Sequence, residues 1–361
     1  MINFKKFFYK KRIIITGHTG FKGSWLTQWL KTYDPYIYGI SKDIPTNPSH
    51  FKVSEIYKGI KDYRLDITNK NRVRDFFIKI KPHYVFHLAA QSLVKKSYKD
   101  PIMTWNTNVV GTLNILESLR QLNNNCTAII ITSDKCYLNK EINKGYKETD
   151  TLGGEDPYSA SKASAELLIK SYVKSYFHKK NSNIRIASVR AGNVIGGGDW
   201  SEDRLIPDCI KQWSKNRTVV IRNPLSTRPW QHVLEAIYGY ILLATKLSKN
   251  PSLHGESFNF GPSKNNNHNV IFLVRTIKKF WNNIRWKIKK NNFLKESNLL
   301  MLNTSKARKE IKWKSVLKFE ENIFMVIDWY KNFYLKKSNS SHFTTSQIEK
   351  YKKILAKREL R

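Results

Sequence analysis

Short, unbroken apolar runs alternate with longer amphipathic stretches along the first half of the chain. Arg12-Ile13-Ile14-Ile15-Thr16 predicts a buried strand closed at once by glycines, and Ser24 to Leu30 predicts a helix. The strand pattern returns around Tyr36 to Ile40, at Tyr84-Val85-Phe86-His87-Leu88, at Ala128-Ile129-Ile130-Ile131-Thr132 and at Ile184 to Val189. Between strands, Ile102, Trp105, Val109, Leu113 and Leu116 recur at helical spacing, as do Ala165, Leu168, Tyr172 and Tyr176. Continuous apolar strands separated by helices predict an α/β fold: a Rossmann-type, doubly wound parallel sheet covered on both faces.

Past residue 195 the pattern loosens, with Gly196-Gly197-Gly198, Pro207, Pro224 and Pro229. We expect a dinucleotide-binding Rossmann domain over 10–195 and a smaller C-terminal substrate-binding lobe over 196–335. Later segments should interleave with the first domain. A polar tail over 336–361, containing Ser338-Asn339-Ser340-Ser341, carries a short helical candidate from Thr345 onward. There is no internal repeat.

Composition changes this picture little. A chain of 361 residues, 40% hydrophobic, is long enough for two lobes. The net charge of +36 comes from 64 Lys and Arg spread from Lys5 to Arg361, among Asn and Ile, as in Asn123-Asn124-Asn125 and Lys289-Lys290-Asn291-Asn292. Without a zinc-finger, helix-turn-helix or RNA-binding signature, this distribution predicts no nucleic-acid partner. It would still steer an anionic nucleotide diphosphate. Cys126, Cys136 and Cys209 have neither disulfide-framework nor metal-ligand spacing, so no metal is expected. The basic, aromatic stretch Met1 to Arg12 is followed by an apolar run too short for a signal peptide, and no later run could span a membrane. The expectation is a cytoplasmic enzyme.

Directly after the first strand comes Gly17-His18-Thr19-Gly20-Phe21-Lys22-Gly23, a GxxGxxG. Glycines so placed allow a tight turn, close backbone approach to a pyrophosphate, and close helix–sheet packing at a helix N-terminus. Glycines also make ordinary turns, but strand, glycine loop and helix at the start of an α/β pattern favour the dinucleotide. After the second strand, Ser41-Lys42 stands where an acidic residue would grip the adenosine ribose, which leaves NAD against NADP open. Asp66 is placed to meet the adenine, or equally to cap the turn before Asn69. Tyr158-Ser159-Ala160-Ser161-Lys162 is a YxxxK, which puts phenol and ammonium on one helix face. A phenol titrates near pH ~10, so serving as a base at neutrality needs a nearby cation. Ser133-Asp134-Lys135 follows the strand Ile129-Ile130-Ile131 at the end where doubly wound folds keep their reactive groups. An adjacent carboxyl and amine suit paired proton donation and abstraction, or simply a salt-bridged loop.

The wider motif set resembles the CDP-glucose 4,6-dehydratases of the extended short-chain dehydrogenase/reductase superfamily. The resemblance is carried by Thr16 to Leu26, His87-Leu-Ala-Ala-Gln91, Thr132 to Tyr137, Arg190 to Trp200, Glu202 to Pro207 and Arg228-Pro-Trp-Gln-His232. It implies tightly bound NAD and conversion of CDP-D-glucose to CDP-4-dehydro-6-deoxy-D-glucose plus water, by transient oxidation at C4, elimination across C5 and C6, and reduction at C6. Products of this kind feed deoxysugars of bacterial surface polysaccharides. By the same resemblance Tyr158 takes the 4-hydroxyl proton with Lys162 beside it, Lys135 removes the C5 proton, Asp134 protonates the departing 6-hydroxyl, and Ser133 hydrogen-bonds the 4-oxygen. Gly17, His18, Thr19, Gly20, Phe21, Lys22, Gly23, Asp66 and Ala89 would hold the cofactor, with Tyr158 and Lys162. Asn193, Arg204 and Arg228 are the candidates for the nucleotide phosphates and ribose, and Asn108 is a substrate-side candidate that reads equally as a buried brace of the active-site helix. Helices around 101–120 and 158–178 would pair with a second subunit as a four-helix bundle, giving a homodimer or homotetramer, or be covered within the monomer. The rival functions are a sugar-nucleotide epimerase, which needs no Asp-Lys pair, a dehydratase for UDP- or dTDP-sugars, and a non-catalytic dinucleotide sensor, which would not need Tyr158 and Lys162.

Overall fold

The computed structural model describes residues 2–142, 144–178, 183–263, 266–289, 300–336 and 339–359. Lys290 to Asn292 and Ser338, singled out above, lie outside them. The first apolar run forms β1 (Arg12–Thr16), and the helix Phe21–Lys31 follows through the glycine loop. The next strands are β2 (Tyr36–Ser41), β3 (Lys61–Arg64), β4 (Tyr84–His87), β5 (Cys126–Ile131) and β6 (Ile184–Ala191). β3 is polar and exposed along its length, which is why apolar patterning did not reveal it.

All of these pair in parallel, with Ser257–Phe260 added beside β6. The sheet order is Ser257–Phe260, β6, β5, β4, β1, β2, β3. Alternate residues enter two cores. Ile13, Ile15, Phe86, Ile129 and Ile131 face one; Ile14, Val85, Ala128 and Ile130 face the other. Burial on both faces is what a continuous apolar strand requires. Strand order reverses between β1 and β4, so the loops at their C-terminal ends diverge and leave a crevice between them.

The strand Ser257–Phe260 comes long after residue 195, so the late part of the chain re-enters the main sheet. The remaining strands form small two-stranded pairs: Val194–Ile195 with Gln231–His232, Thr227–Pro229 with Asn267–Asn269, and Thr218–Ile221 with Arg285–Ile288. The tail forms a longer helix than its polarity suggested, Ser340–Glu359. Ile348, Tyr351 and Leu355 make a buried stripe at 3, 4 and 7 spacing within the main core. Gln28 donates to Thr345 Oγ1 at 2.7 Å, tying this helix to Phe21–Lys31.

Candidate functional site

The glycine loop is built by close approach. Gly17 adopts φ +73°, and a Cβ on Gly23 would stand 2.1 Å from the Gly17 carbonyl oxygen. The helix Phe21–Lys31 therefore begins against the end of β1 with Gly20 as its N-cap, no side-chain cap and no acid in the first turn. Uncapped N–H groups at a bare helix start favour an anion, so the loop fits a dinucleotide pyrophosphate. Facing it, Thr16 Oγ1 accepts the Leu88 and Ala89 N–H groups at 3.1 and 3.0 Å and meets His87 Nδ1 at 2.7 Å, which fixes Ala89 at the mouth of the crevice.

Not every loop side chain turns toward that mouth. His18 is fully buried; its Nε2 meets Asp62 Oδ1 at 2.7 Å, its Nδ1 meets Ser41 Oγ at 3.0 Å, and its ring lies on Gly39. Burial lowers its pKa, with the Asp62 hydrogen bond opposing. His18 thus straps the loop across β2 to β3. Thr19 Oγ1 donates to the Asp43 carbonyl at 2.7 Å. Asp66 accepts from Thr68 N and Oγ1 at 2.9 Å and pairs with Lys42 at 3.1 Å, so its carboxylate caps the turn.

The catalytic candidates converge at the C-terminal end of β5. Ser133 caps a single helical turn, accepting Lys135 N at 3.2 Å and donating to Asp134 Oδ1 at 3.0 Å. Across from it starts the helix Pro157–Tyr172, capped by Asp156, whose Oδ1 accepts the Tyr158 and Ser159 N–H groups at 3.0 Å each. This cap and Pro157 hold Tyr158 in the first turn. Tyr158 is buried beside the turn that carries Ser133 and Asp134, and Lys162 follows one turn later. Burial pushes the Tyr158 pKa up to about 12, with the Asp134 charge adding to the rise, while Ser133 and the Arg204 guanidinium pull it down. Burial brings Lys162 down to about 8.

Lys22 is the residue whose placement departs most from a loop reading. Its ammonium feels Arg204, Asp134, Lys162 and Asp199, and burial together with Arg204 lowers it to about 8. Among the described residues Lys22, Lys135 and Lys162 have no side-chain hydrogen bond or ion pair. Lys22 and the Arg204 guanidinium thus stand near one another and near Asp134, an arrangement suited to an anionic substrate. Arg204 is held by Asp199 Oδ2 at 3.0 Å.

Asn108 lies in the wide π turn Asn106–Val110 of the helical stretch 101–120. It accepts Gln91 N at 2.8 Å and donates to Gln91 O at 3.0 Å and Ser161 Oγ at 2.9 Å. These three bonds tie the Gln91 backbone to the helix Pro157–Tyr172. Asn193 is half-buried at the exit of β6, its carbonyl 3.4 Å from Gln231 N. Arg228 lines a cleft of roughly 640 Å³ between the short helix Val94–Lys99, the helix Leu205–Trp213 and the strand Thr218–Ile221, where Arg222 and Trp230 join it.

Sequence reasoning missed two supports. Glu166, one turn beyond Lys162, forms a buried pair with Arg190 at 2.7 Å and accepts from Thr132 and Ser188. Gly192 packs against the Asp134 carboxylate. The i, i+4 spacing of Lys162 and Glu166 was a signal for the first; nothing local marks the second. Among the described residues no cluster of three His, Cys, Asp or Glu could hold a metal ion, and no helix is long and apolar enough to cross a membrane.

Comparison with known proteins agrees with this geometry. The family model for GDP-mannose 4,6 dehydratase matches residues 14–326. The CDP-glucose 4,6-dehydratase of Salmonella typhimurium is 42% identical over 331 residues, covering 91% of this chain and 92% of that protein. The UDP-glucose 4-epimerase of Mycoplasma genitalium is 25% identical, covering 90% and 98%. Among solved structures, an epimerase of Methanothermobacter thermautotrophicus has a TM-score of 0.79 at 21% identity, covering 93% of this chain and 96% of that one. The Bacillus cereus UDP-glucuronic acid 4-epimerase, in complex with UDP-glucuronic acid and NAD, has a TM-score of 0.76 at 23% identity, covering 90% and 100%. These two establish the fold.

Proposed function

The chain belongs to the GDP-mannose 4,6 dehydratase family, and from that premise we propose that it is a hydro-lyase that dehydrates CDP-D-glucose to CDP-4-dehydro-6-deoxy-D-glucose. The observation that carries the reading is the meeting of Asp134 and Lys135 with Tyr158 and Lys162 at one strand end, in a chain 42% identical to a CDP-glucose 4,6-dehydratase. An epimerase has no use for the first pair.

The glycine loop, the bare start of Phe21–Lys31, Asp66 and Ala89 are the residues that would hold NAD. When bound, NAD supplies a reversible acceptor for the C4 hydrogen and its electron pair, given back at C6. The chain's own groups handle protons. Tyr158 Oη takes the 4-hydroxyl proton, with Lys162 and Arg204 favouring its anion. The C4 ketone acidifies the C5 hydrogen, which Lys135 Nζ removes while Asp134 gives a proton to the 6-oxygen, so water leaves. Lys135 then returns its proton to C5. Arg228 and Arg222 in the cleft, with Arg204, suit the nucleotide phosphates, since guanidinium groups bind phosphate bidentately.

The direct test is to incubate the purified protein with CDP-glucose and without added reductant, beside dTDP-, UDP- and GDP-glucose. A product lighter by one water, fastest from CDP-glucose, is expected. Unchanged substrate or a 4-epimer in mass and NMR spectra would end the reading.

The assembly we propose is a homodimer, or a homotetramer built from it, through the helical segments 101–120 and 157–177. These segments pack together, and Ile102, Trp105, Val110, Leu167 and Tyr176 stand exposed on them, Ile102 at 74% and Leu167 at 57%. Sedimentation should give at least a dimer, and Ile102→Asp with Leu167→Asp a monomer; a monomeric wild type would refute it. We place the enzyme in the cytoplasm, which accords with three buried, unpaired cysteines.

A further inference from the structure

The cleft lined by Arg228 follows one face of the helix Leu205–Trp213. Leu205, Asp208, Cys209 and Gln212 line it at i, i+3, i+4 and i+7, while Ile206, Ile210 and Trp213 turn into the main core. The helix is a fixed wall. Trp213 Nε1 donates to the Arg285 carbonyl at 2.9 Å, and Arg285–Ile288 pairs with the facing strand Thr218–Ile221. Val219, Ile221 and Val270 give the cleft apolar surface, and Arg222 and Arg228 give it cations.

Most other polar groups of this cleft are either committed elsewhere or able to donate and accept alike. Asp203 is paired with Lys95, and Lys211 Nζ donates to the Trp200 carbonyl at 3.0 Å. Gln212 and Asn223 carry amides and Ser226 a hydroxyl, each both donor and acceptor. Asp208 differs from all of these. Its ionised carboxylate only accepts, it is exposed to the cleft, and it has no side-chain hydrogen bond or ion pair among the described residues. A carboxylate repels phosphate, so the part of a nucleotide that settles beside it is a hydrogen-bond donor.

We propose that Asp208 selects cytosine over uracil in this cleft, an inference that rests on the nucleotide-sugar reading above. Cytosine presents an N4 amino group, a donor that a carboxylate accepts; uracil and thymine present O4 there, an acceptor that a carboxylate repels. No other lining group separates the bases. O2 is an acceptor in both, and the amides of Gln212 and Asn223 can turn to match either the bare N3 of cytosine or the N3–H of uracil. The arginines only donate, which suits the diphosphate whatever the base. Ribose and glucose hydroxyls are donors too, but they are the same in CDP- and UDP-glucose, so a carboxylate engaged with them would not discriminate.

Binding of CDP and UDP alone tests this without depending on turnover. Calorimetry on the purified protein should give CDP about tenfold tighter than UDP or more. Asp208→Asn keeps the shape but can donate as well as accept. It should weaken CDP and tighten UDP until their affinities lie within about threefold, with the thermal midpoint held within about 2 °C. Asp208→Glu keeps the carboxylate and should still prefer CDP. Steady-state kinetics with CDP- and UDP-glucose should show the same loss of preference in kcat/KM for Asp208→Asn. A wild type that binds both nucleotides equally, or an Asp208→Asn protein that keeps the wild-type ratio, overturns the proposal. Equal weakening of both nucleotides overturns it too, and moves Asp208 to the ribose. If the wild type prefers CDP in calorimetry but releases no dehydrated sugar, the functional reading falls while the binding ratio still decides the role of Asp208.

Discussion

Asp134 Oδ2 stands 2.2 Å from where a Cβ on Gly192 would lie. The carboxylate therefore occupies side-chain space that residue 192 gives up, and it is β6 that positions the acid carried on the loop after β5. Gly192→Ala should displace Asp134 while leaving the sheet intact. We expect kcat to fall at least 100-fold with the thermal midpoint lowered by only a few degrees, measured by product formation and calorimetry.

Tyr158→Phe removes the proposed base without opening a cavity. Loss of a general base costs roughly 10²- to 10⁴-fold in rate, and kcat should drop within that range. Cofactor content of the purified protein should match wild type. Unchanged kcat would take Tyr158 out of the proton path.

Lys22 is a half-buried ammonium with no side-chain ion pair among the described residues, set among Asp134, Lys162 and Arg204. Lys22→Met removes a desolvated charge, so the folded protein should be as stable as wild type or more so. Its kcat/KM for CDP-glucose should nevertheless fall at least tenfold. Joint measurement of thermal midpoint and steady-state kinetics checks both halves; a destabilised variant with normal kinetics would contradict the placement.

Glu235 is fully buried on the helix Val233–Lys249, where it accepts Val316 N at 2.6 Å, Leu317 N at 2.7 Å and the Ser315 hydroxyl. Burial raises its pKa from 4.5 to about 7, with these hydrogen bonds opposing. A pKa raised on folding means that the stabilisation is fully present below the unfolded value and is lost as pH rises through the folded one. Between about pH 4.5 and 7 this group alone should cost about 3 kcal/mol of stability. Glu235→Gln stays neutral, so its thermal midpoint should lack that component of pH dependence. Parallel pH series for the two proteins would reject the assignment if the curves kept a constant separation.

Much of the first domain was legible because each signal is local. An apolar run such as Ile13-Ile14-Ile15 can only be satisfied by burial on both faces, so the strand, and with it a covered parallel sheet, follows from adjacent residues. GxxGxxG and YxxxK work in the same way: turn geometry and helical periodicity bring together residues three or four apart. The polar strand β3 gave no such sign, since Lys61 to Arg64 owe their conformation to pairing with β2 rather than to their own burial. The tail helix was underestimated because Ile348, Tyr351 and Leu355 gain their meaning only against the main core.

Within the site, the sequence by itself determined which chemical groups are present: a phenol and an amine one turn apart, and an acid beside a second amine after β5. Only the tertiary structure decided what each faces. It turned His18 away into a strap to Asp62, closed Asn108 into a brace between Gln91 and Ser161, brought Lys22 to Asp134, and set Gly192 against the carboxylate. The physical reason is that hydrogen-bond commitment, desolvation and close approach are properties of through-space neighbours, and parallel strands place side by side residues that lie tens of positions apart in the chain.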